Sequence, residues 1–177
     1  MKSSVIDSLL ALNEATENEA QAWFMQTCTS ERWCSKMVKQ RPFANLEALN
    51  SQANLQWQTM TSPDYIEAFS GHPMIGDINT LRKKYANTKA LASNEQSGTQ
   101  GASEETLHKL QQMNKAYLDK HGFIFIICAT GLSADAMLNK LEKRLPNSTE
   151  SEMENAAQEQ MKITLLRINK AFGGASA

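Results

Sequence analysis

Residues 123–128, Phe123-Ile124-Phe125-Ile126-Ile127-Cys128, are the one stretch whose composition fits a buried β-strand. A strand must pair its backbone N–H and C=O groups, and no second candidate occurs in the chain to pair with it. The segment is therefore read as a buried extended piece or the start of a helix, and the fold class as all-α. Working outward, the apolar spacing is helical. Before the segment, Ser103 caps a helix carrying Leu107, Leu110, Met113 and Tyr117 on one face, broken between Asp119 and Gly122. After it, Met137, Leu138, Leu141 and Leu145 define a helix ended by Pro146-Asn147. Ser151 and Glu154 form a capping box for a last helix with Met153, Ala157, Met161, Thr164 and Ile168.

The N-terminal half reads the same way. Ile6, Leu9 and Leu10 begin a short amphipathic helix. Thr16 with Glu19 is a capping box, and Ser30 caps a helix that stops near Pro42. Leu46, Leu49, Ala53, Trp57 and Met60 form one stripe. Ser62-Pro63 is a hydroxyl cap followed by proline at the first helical position, in a helix that should end at Gly71. From Gly76 to Gly101 the chain is polar and irregular, with one or two helical turns from Leu81, as segments serving function often are. The expected architecture is a single domain over residues 1–177, a bundle of about seven to nine helices with a frayed tail from about residue 173.

Composition narrows the function. Apolar residues make up 41% of 177, enough for a core, and 18 basic against 19 acidic side chains argue against nucleic-acid or anionic-membrane partners. Cys28, Cys34 and Cys128 form no CxxC pair, which disfavours a disulfide framework or structural zinc and suits reduced thiols in a cytoplasmic protein. The longest apolar run is too short to span a bilayer, and neither end reads as a signal peptide or a peroxisomal address. With three scattered histidines a metal site is not expected. No phosphate loop, His-Glu-x-x-His or Gly-x-Ser-x-Gly occurs.

Acid–base and electrostatic chemistry remain. His72, in Gly71-His72-Pro73, is held extended by the proline. If Pro73 opens a new helix, His72 lies at a helix N-terminus, where the dipole disfavours imidazolium and favours an anion. The plainer reading is a turn histidine. Glu95, beside Gln96, is a carboxylate in the polar segment, which a solvated loop also explains. Arg167 has the mainly apolar helical neighbours Ile163, Thr164 and Ala171, which read as a mainly buried face, so it needs an anion, from an internal carboxylate or from a ligand. Cys128 reads as an inert core thiol.

Taken in order, Leu12-Asn13, Trp33 with Arg41-Pro42-Phe43, Gly71-His72-Pro73, Glu95-Gln96, Leu110 with Asn114 to Tyr117, Gly122-Phe123 to Ala129, Arg144-Leu145 and Lys162-Ile163 to Arg167 resemble the 2-oxo-4-hydroxy-4-carboxy-5-ureidoimidazoline (OHCU) decarboxylase family over nearly the whole chain. The resemblance implies an all-helical, commonly dimeric enzyme that needs no metal or organic cofactor and yields (S)-allantoin in urate breakdown. It makes His72 the acid–base group, with Glu95 and Arg167 as the other two catalytic side chains. It sets Pro73, Ala92, Ser93, Asn94 and Gln96 at the substrate, together with the backbone of Phe125, Ile126, Ile127, Cys128 and Ala129. Three positions depart from the family pattern. Met74-Ile75 stands for Asp-Leu, Ala92 for a serine with Ser93 beside it, and Ile124 for a proline. A rival from another class is a non-catalytic helical module that binds a ureide or a protein partner.

Overall fold

The computed structural model describes residues 5–74, 78–83 and 103–173. Its helices are α1 (Leu9–Glu14), α2 (Glu17–Thr27), α3 (Glu31–Lys39), α4 (Leu46–Gln58), α5 (Ser62–Ser70), α6 (Glu104–His121), α7 (Ala134–Arg144) and α8 (Thr149–Phe172), and residues 78–83 are also helical. No strand occurs among the described residues. The stretch from Ile124 to Ala129 is neither helix nor strand, so of the two readings left open it is not a helix start. Among the described residues no helix is long and apolar enough to cross a membrane.

Short polar side chains set most helix starts. Ser8, Thr16, Ser30, Asn45, Ser103 and Ser133 each accept the backbone N–H three residues on, from Ala11, Glu19, Trp33, Ala48, Thr106 and Ala136. Each such cap stabilises by about 1 kcal/mol, because it satisfies a donor the helix itself leaves unpaired. Three starts differ from expectation, the first being α1, which begins at Leu9 after its Ser8 cap and leaves Ile6 outside. α5 is capped by Thr61, one residue early, because the Asp64 carboxylate accepts both the Thr61 N–H (2.9 Å) and its hydroxyl (3.1 Å). Pro63 then sits second in the helix, where its missing N–H is still no loss. α8 is capped by Ser148, whose Oγ accepts from Ser151 N–H at 3.1 Å, so the expected Ser151–Glu154 box lies inside the helix. The cause is Glu152, whose carboxylate is drawn inward by Arg144 (2.7 Å) and Asn147 (3.0 Å), which winds the preceding turn.

The chain forms two compact units. The first comprises the chain to His72, Ile126–Cys128, and Asn155 onward. It holds α1 to α5 and most of α8. Leu12, Phe24, Trp33, Met37, Leu49 and Ile168 are fully buried. The Trp33 and Trp57 indole N–H groups donate to the carbonyls of Ala53 (3.1 Å) and Ala157 (3.0 Å), so both rings are buried without an orphaned donor. Asn13 exchanges two hydrogen bonds with the Phe43 backbone, both 2.9 Å, and Arg41 donates to the carbonyls of Leu12 (2.8 Å) and Ala15 (2.7 Å) at the end of α1. These widely separated family markers thus serve architecture, tying α1 to the chain beyond α3.

The second unit comprises Pro73–Phe125 and Ala129–Glu154. In it α6 packs on α7. Leu107, Leu110 and Tyr117 of α6 are buried, as are Met137, Leu138 and Leu141 of α7. Thr106 Oγ1 donates to Asp135 at 2.9 Å near the two helix starts. α6 ends at Gly122, whose φ of 79° is left-handed and costs little only in glycine.

Candidate active site

His72 follows the C-terminus of α5, its N–H donating to Phe69 O at 3.1 Å. Pro73 and Met74 are not helical, so of the two readings left open His72 is the turn histidine and not one at a helix N-terminus. The end of α5 by itself favours a charged imidazolium. Other forces win. Burial of the half-buried ring lowers the His72 pKa, the hydrogen bond to Gln160 works against this, and the Arg167 charge lowers it again. The ring is thereby biased toward the neutral form.

Gly71 explains how the ring is placed. A Cβ there would overlap the side chain of Thr29, whose hydroxyl donates to the carbonyls of Glu67 (3.1 Å) and Ala68 (3.2 Å). Glycine lets Thr29 close over the end of α5, so the next residue leaves the helix at a set point. His72 Nε2 then lies 2.6 Å from Gln160 Oε1 on α8. Gln160 Nε2 donates to Thr164 Oγ1 (3.1 Å), and Thr164 Oγ1 donates to Thr27 O (3.1 Å) at the end of α2. Arg167 Nη1 donates to the same carbonyl at 3.2 Å. Gln160 and Thr164 are fully buried and Thr27 nearly so. One hydrogen-bonded path therefore joins His72 to Arg167.

Arg167 is exposed, which corrects the expectation of an arginine on a buried face. The apolar neighbours misled because Thr164 and Ile168 turn inward while Arg167 lies to their side. Among the described residues it makes no ion pair, so most of its fork is available to an anion.

Of the residues expected at the substrate, Ala92, Ser93, Asn94 and Gln96 lie outside the described residues, as does Glu95. Pro73 is exposed. Ile126 is buried and Ile127 and Cys128 are half-buried, in the same unit as His72; Phe125 and Ala129 belong to the second unit. Cys128 is therefore not a core thiol. The buried thiols are Cys28, which burial pushes up to about 11, and Cys34, which burial pushes up further. Neither suits nucleophilic chemistry.

Sequence reading missed Gln160, although a polar side chain one turn before Thr164 on a buried face was a readable signal. It also missed a polar centre in the second unit. Glu152, with no exposed side-chain area, accepts from Tyr117 Oη (2.6 Å), Arg144 Nε (2.7 Å) and Asn147 Nδ2 (3.0 Å). Burial, then the bond to Glu152, raises the Tyr117 pKa, so the phenol stays a donor. The Arg144 guanidinium lies 4.6 Å from the Phe125 ring centroid, and Tyr117 meets that ring edge-on at 5.3 Å. The cluster thus packs on the Phe125 ring within the irregular segment. Among the described residues no group of three or more His, Cys, Asp or Glu is placed to hold a metal.

The family profile described as OHCU decarboxylase matches residues 13–169. The "Uric acid degradation bifunctional protein TTL" of Arabidopsis thaliana is 34% identical over 145 residues, covering 82% of this chain and 45% of the relative. The 2-oxo-4-hydroxy-4-carboxy-5-ureidoimidazoline decarboxylase of Haloferax volcanii is 23% identical over 141 residues, covering 79% of this chain and 81% of the relative. A crystal structure of an OHCU decarboxylase in the presence of (S)-allantoin superposes with a TM-score of 0.70 at 33% identity, covering 86% of this chain and 98% of that one. The crystal structure of (S)-allantoin synthase, at 15% identity and a TM-score of 0.68 over 93% of this chain and 54% of that one, shares the fold. The chain spans 45% and 32% of the lengths of the bifunctional Arabidopsis and Bacillus relatives.

Proposed function

Because this chain belongs to the OHCU decarboxylase family, we propose that it converts 2-oxo-4-hydroxy-4-carboxy-5-ureidoimidazoline to (S)-allantoin and CO2, with His72 as the acid–base group. The observation that carries this is the placement of a half-buried, neutral-biased His72 on a hydrogen-bonded path to Arg167. The bond from the hydroxyl-bearing ring carbon to the carboxylate breaks, and its electron pair passes into the adjacent imine system of the ring. The ring nitrogen that receives the pair takes up a proton, a second proton adds to the ureido-bearing carbon, and the hydroxyl releases its proton as its carbon becomes a carbonyl. The substrate loses CO2 and gains one proton, and the ring itself delocalises the electrons, so the step calls for no cofactor sink. Arg167 holds the anionic substrate with parallel donors, and Glu95 orients the hydroxyl and ureido groups and disfavours a carboxylate bound close by. His72 moves the proton on one face, which fixes the chirality.

Pro73, Ala92, Ser93, Asn94, Gln96 and the backbone of Phe125 to Ala129 line the substrate in this reading. The packing of Tyr117 and Arg144 on the Phe125 ring supports it by holding that residue in place. The same proposal takes residues 1–177 as one domain, working as a cytoplasmic homodimer on a small ureide, without nucleic-acid or membrane partners. The near-neutral net charge of −1 supports the lack of nucleic-acid and anionic-membrane partners, and the profile match over residues 13–169 supports the single domain.

The test is turnover of freshly made ureidoimidazoline, followed by ultraviolet decay and by circular dichroism of the product. Faster decay giving optically active (S)-allantoin is expected, because an uncatalysed planar species is protonated from both faces. Decay at the spontaneous rate with racemic product overturns the proposal in favour of a binding module.

A further inference from the structure

The path behind His72 has a direction, and the direction decides which ring nitrogen does the chemistry. Thr27 O is a carbonyl and can only accept. Thr164 has one hydroxyl hydrogen, and its Oγ1 lies 3.1 Å from that carbonyl. Cys28 Sγ also lies within reach of Thr164, but sulfur is the weaker acceptor. With its hydrogen given to Thr27 O, Thr164 Oγ1 must accept, and the group facing it is the Gln160 amide at 3.1 Å. That end of Gln160 is therefore the NH2, and the opposite end, 2.6 Å from His72 Nε2, is the carbonyl oxygen. The reverse amide orientation would claim the Thr164 hydrogen and break its bond to Thr27. Gln160 is 0% exposed, so no solvent competes for its amide.

We infer that Gln160 is a positioning residue that keeps His72 Nε2 protonated, so the proton exchanged with substrate is carried on Nδ1. An amide oxygen accepts from Nε2–H in the neutral ring and in the imidazolium alike, so the Nε2 proton stays through the cycle. Nδ1 makes no hydrogen bond among the described residues and is bare in the neutral ring. It is the nitrogen left to gain and lose a proton. The inference rests on the functional reading for its consequence in catalysis, but the tautomer is a property of the protein alone.

The experiment is long-range 1H–15N correlation on the 15N-labelled wild-type chain, with His72→Asn to assign the ring, alongside steady-state kinetics of Gln160→Met and Gln160→Glu. The wild type should show the Nε2–H tautomer, with Nδ1 changing on titration. Q160M should lose that tautomer preference and about tenfold or more in kcat, part of the ~10²–10⁴ that a positioned acid–base group supplies, with KM changed far less. Q160E keeps an acceptor and should restore the tautomer, recovering kcat relative to Q160M. A wild-type ring carrying its proton on Nδ1 overturns the inference without recourse to any variant. So does a Q160M variant with unchanged tautomer and kcat within about twofold of wild type, well inside that ~10²–10⁴ range. The Nε2–H tautomer in a chain with no turnover would overturn the functional reading and leave the tautomer assignment standing.

Discussion

Replacing Arg144 by Met should destabilise the protein by about 3–4 kcal/mol at neutral pH. Its partner Glu152 has 0% exposed side chain and Arg144 only 13%, at 2.7 Å. Without the guanidinium, Glu152 faces two outcomes. It can stay ionised with Tyr117 and Asn147 still donating, and breaking a buried pair in this way costs about 3–5 kcal/mol. It can instead take up a proton. An ordinary glutamate near pKa 4.3 then costs about 1.36 × 2.7 ≈ 3.7 kcal/mol to keep neutral at pH 7 while the unfolded chain ionises. The cheaper route sets the cost, hence the stated range. The sign with pH follows. In the variant the folded pKa of Glu152 lies above its unfolded value, so the unfolded state releases its proton first and stability falls as pH rises above about 4.3. The deficit should therefore be largest near neutrality and shrink toward about pH 5, and adding Glu152→Gln should recover much of it. Urea unfolding followed by far-ultraviolet circular dichroism at both pH values measures this. A deficit below about 1 kcal/mol would mean the pair behaves as a surface salt bridge, and a larger deficit that does not vary with pH would mean that Glu152 stays ionised and would refute the protonation route. Arg144 also stacks on Phe125, so KM should rise in folded R144M.

His72→Asn should cut turnover by about 10²-fold or more with helical content unchanged, measured by kinetics and circular dichroism on one sample. The lowered His72 pKa places the acid limb of the wild-type rate profile below the ordinary value of 6.5. The linked stability is fully present above 6.5 and is lost as pH falls through the folded pKa, a loss that His72→Asn should abolish. Arg167→Lys should change stability by less than about 1 kcal/mol, because the side chain is exposed, yet reduce kcat/KM by about tenfold or more through loss of the planar fork; unchanged kinetics would remove Arg167 from the site. Gly71→Ala should cost about 1–3 kcal/mol by driving a Cβ into Thr29 and lower kcat by shifting His72, and Thr29→Ala in the same chain should return part of both.

The sequence carried more of the fold than of the site. Helical spacing and a Ser or Thr before the run are local signals: they located α2, α3 and α6 with their caps, and spacing alone located α4 and α7. The displaced starts at α5 and α8 are those where an acidic side chain chose its partner through space. Asp64 reached back to Thr61, and Glu152 was claimed by Arg144 and Asn147. For the site, His72 and Arg167 were legible as residue types in an ordered set of motifs. Their surroundings were not: whether His72 lies at a helix N-terminus or in a turn was open and it lies beyond a C-terminus, and Arg167 was read on a mainly buried face and is exposed.

The amino-acid sequence by itself determined that the chain is helical, because one unpaired apolar segment cannot make a sheet, and which side chains are available for proton transfer and anion binding. Only the tertiary structure decided what those side chains can do. Gln160 is 88 positions from His72, and Thr27 is 140 from Arg167. No local pattern relates residues so far apart. Whether the histidine is neutral, which nitrogen carries its proton and which acid is buried depend on burial and on hydrogen-bond partners, and these exist only once the helices have packed.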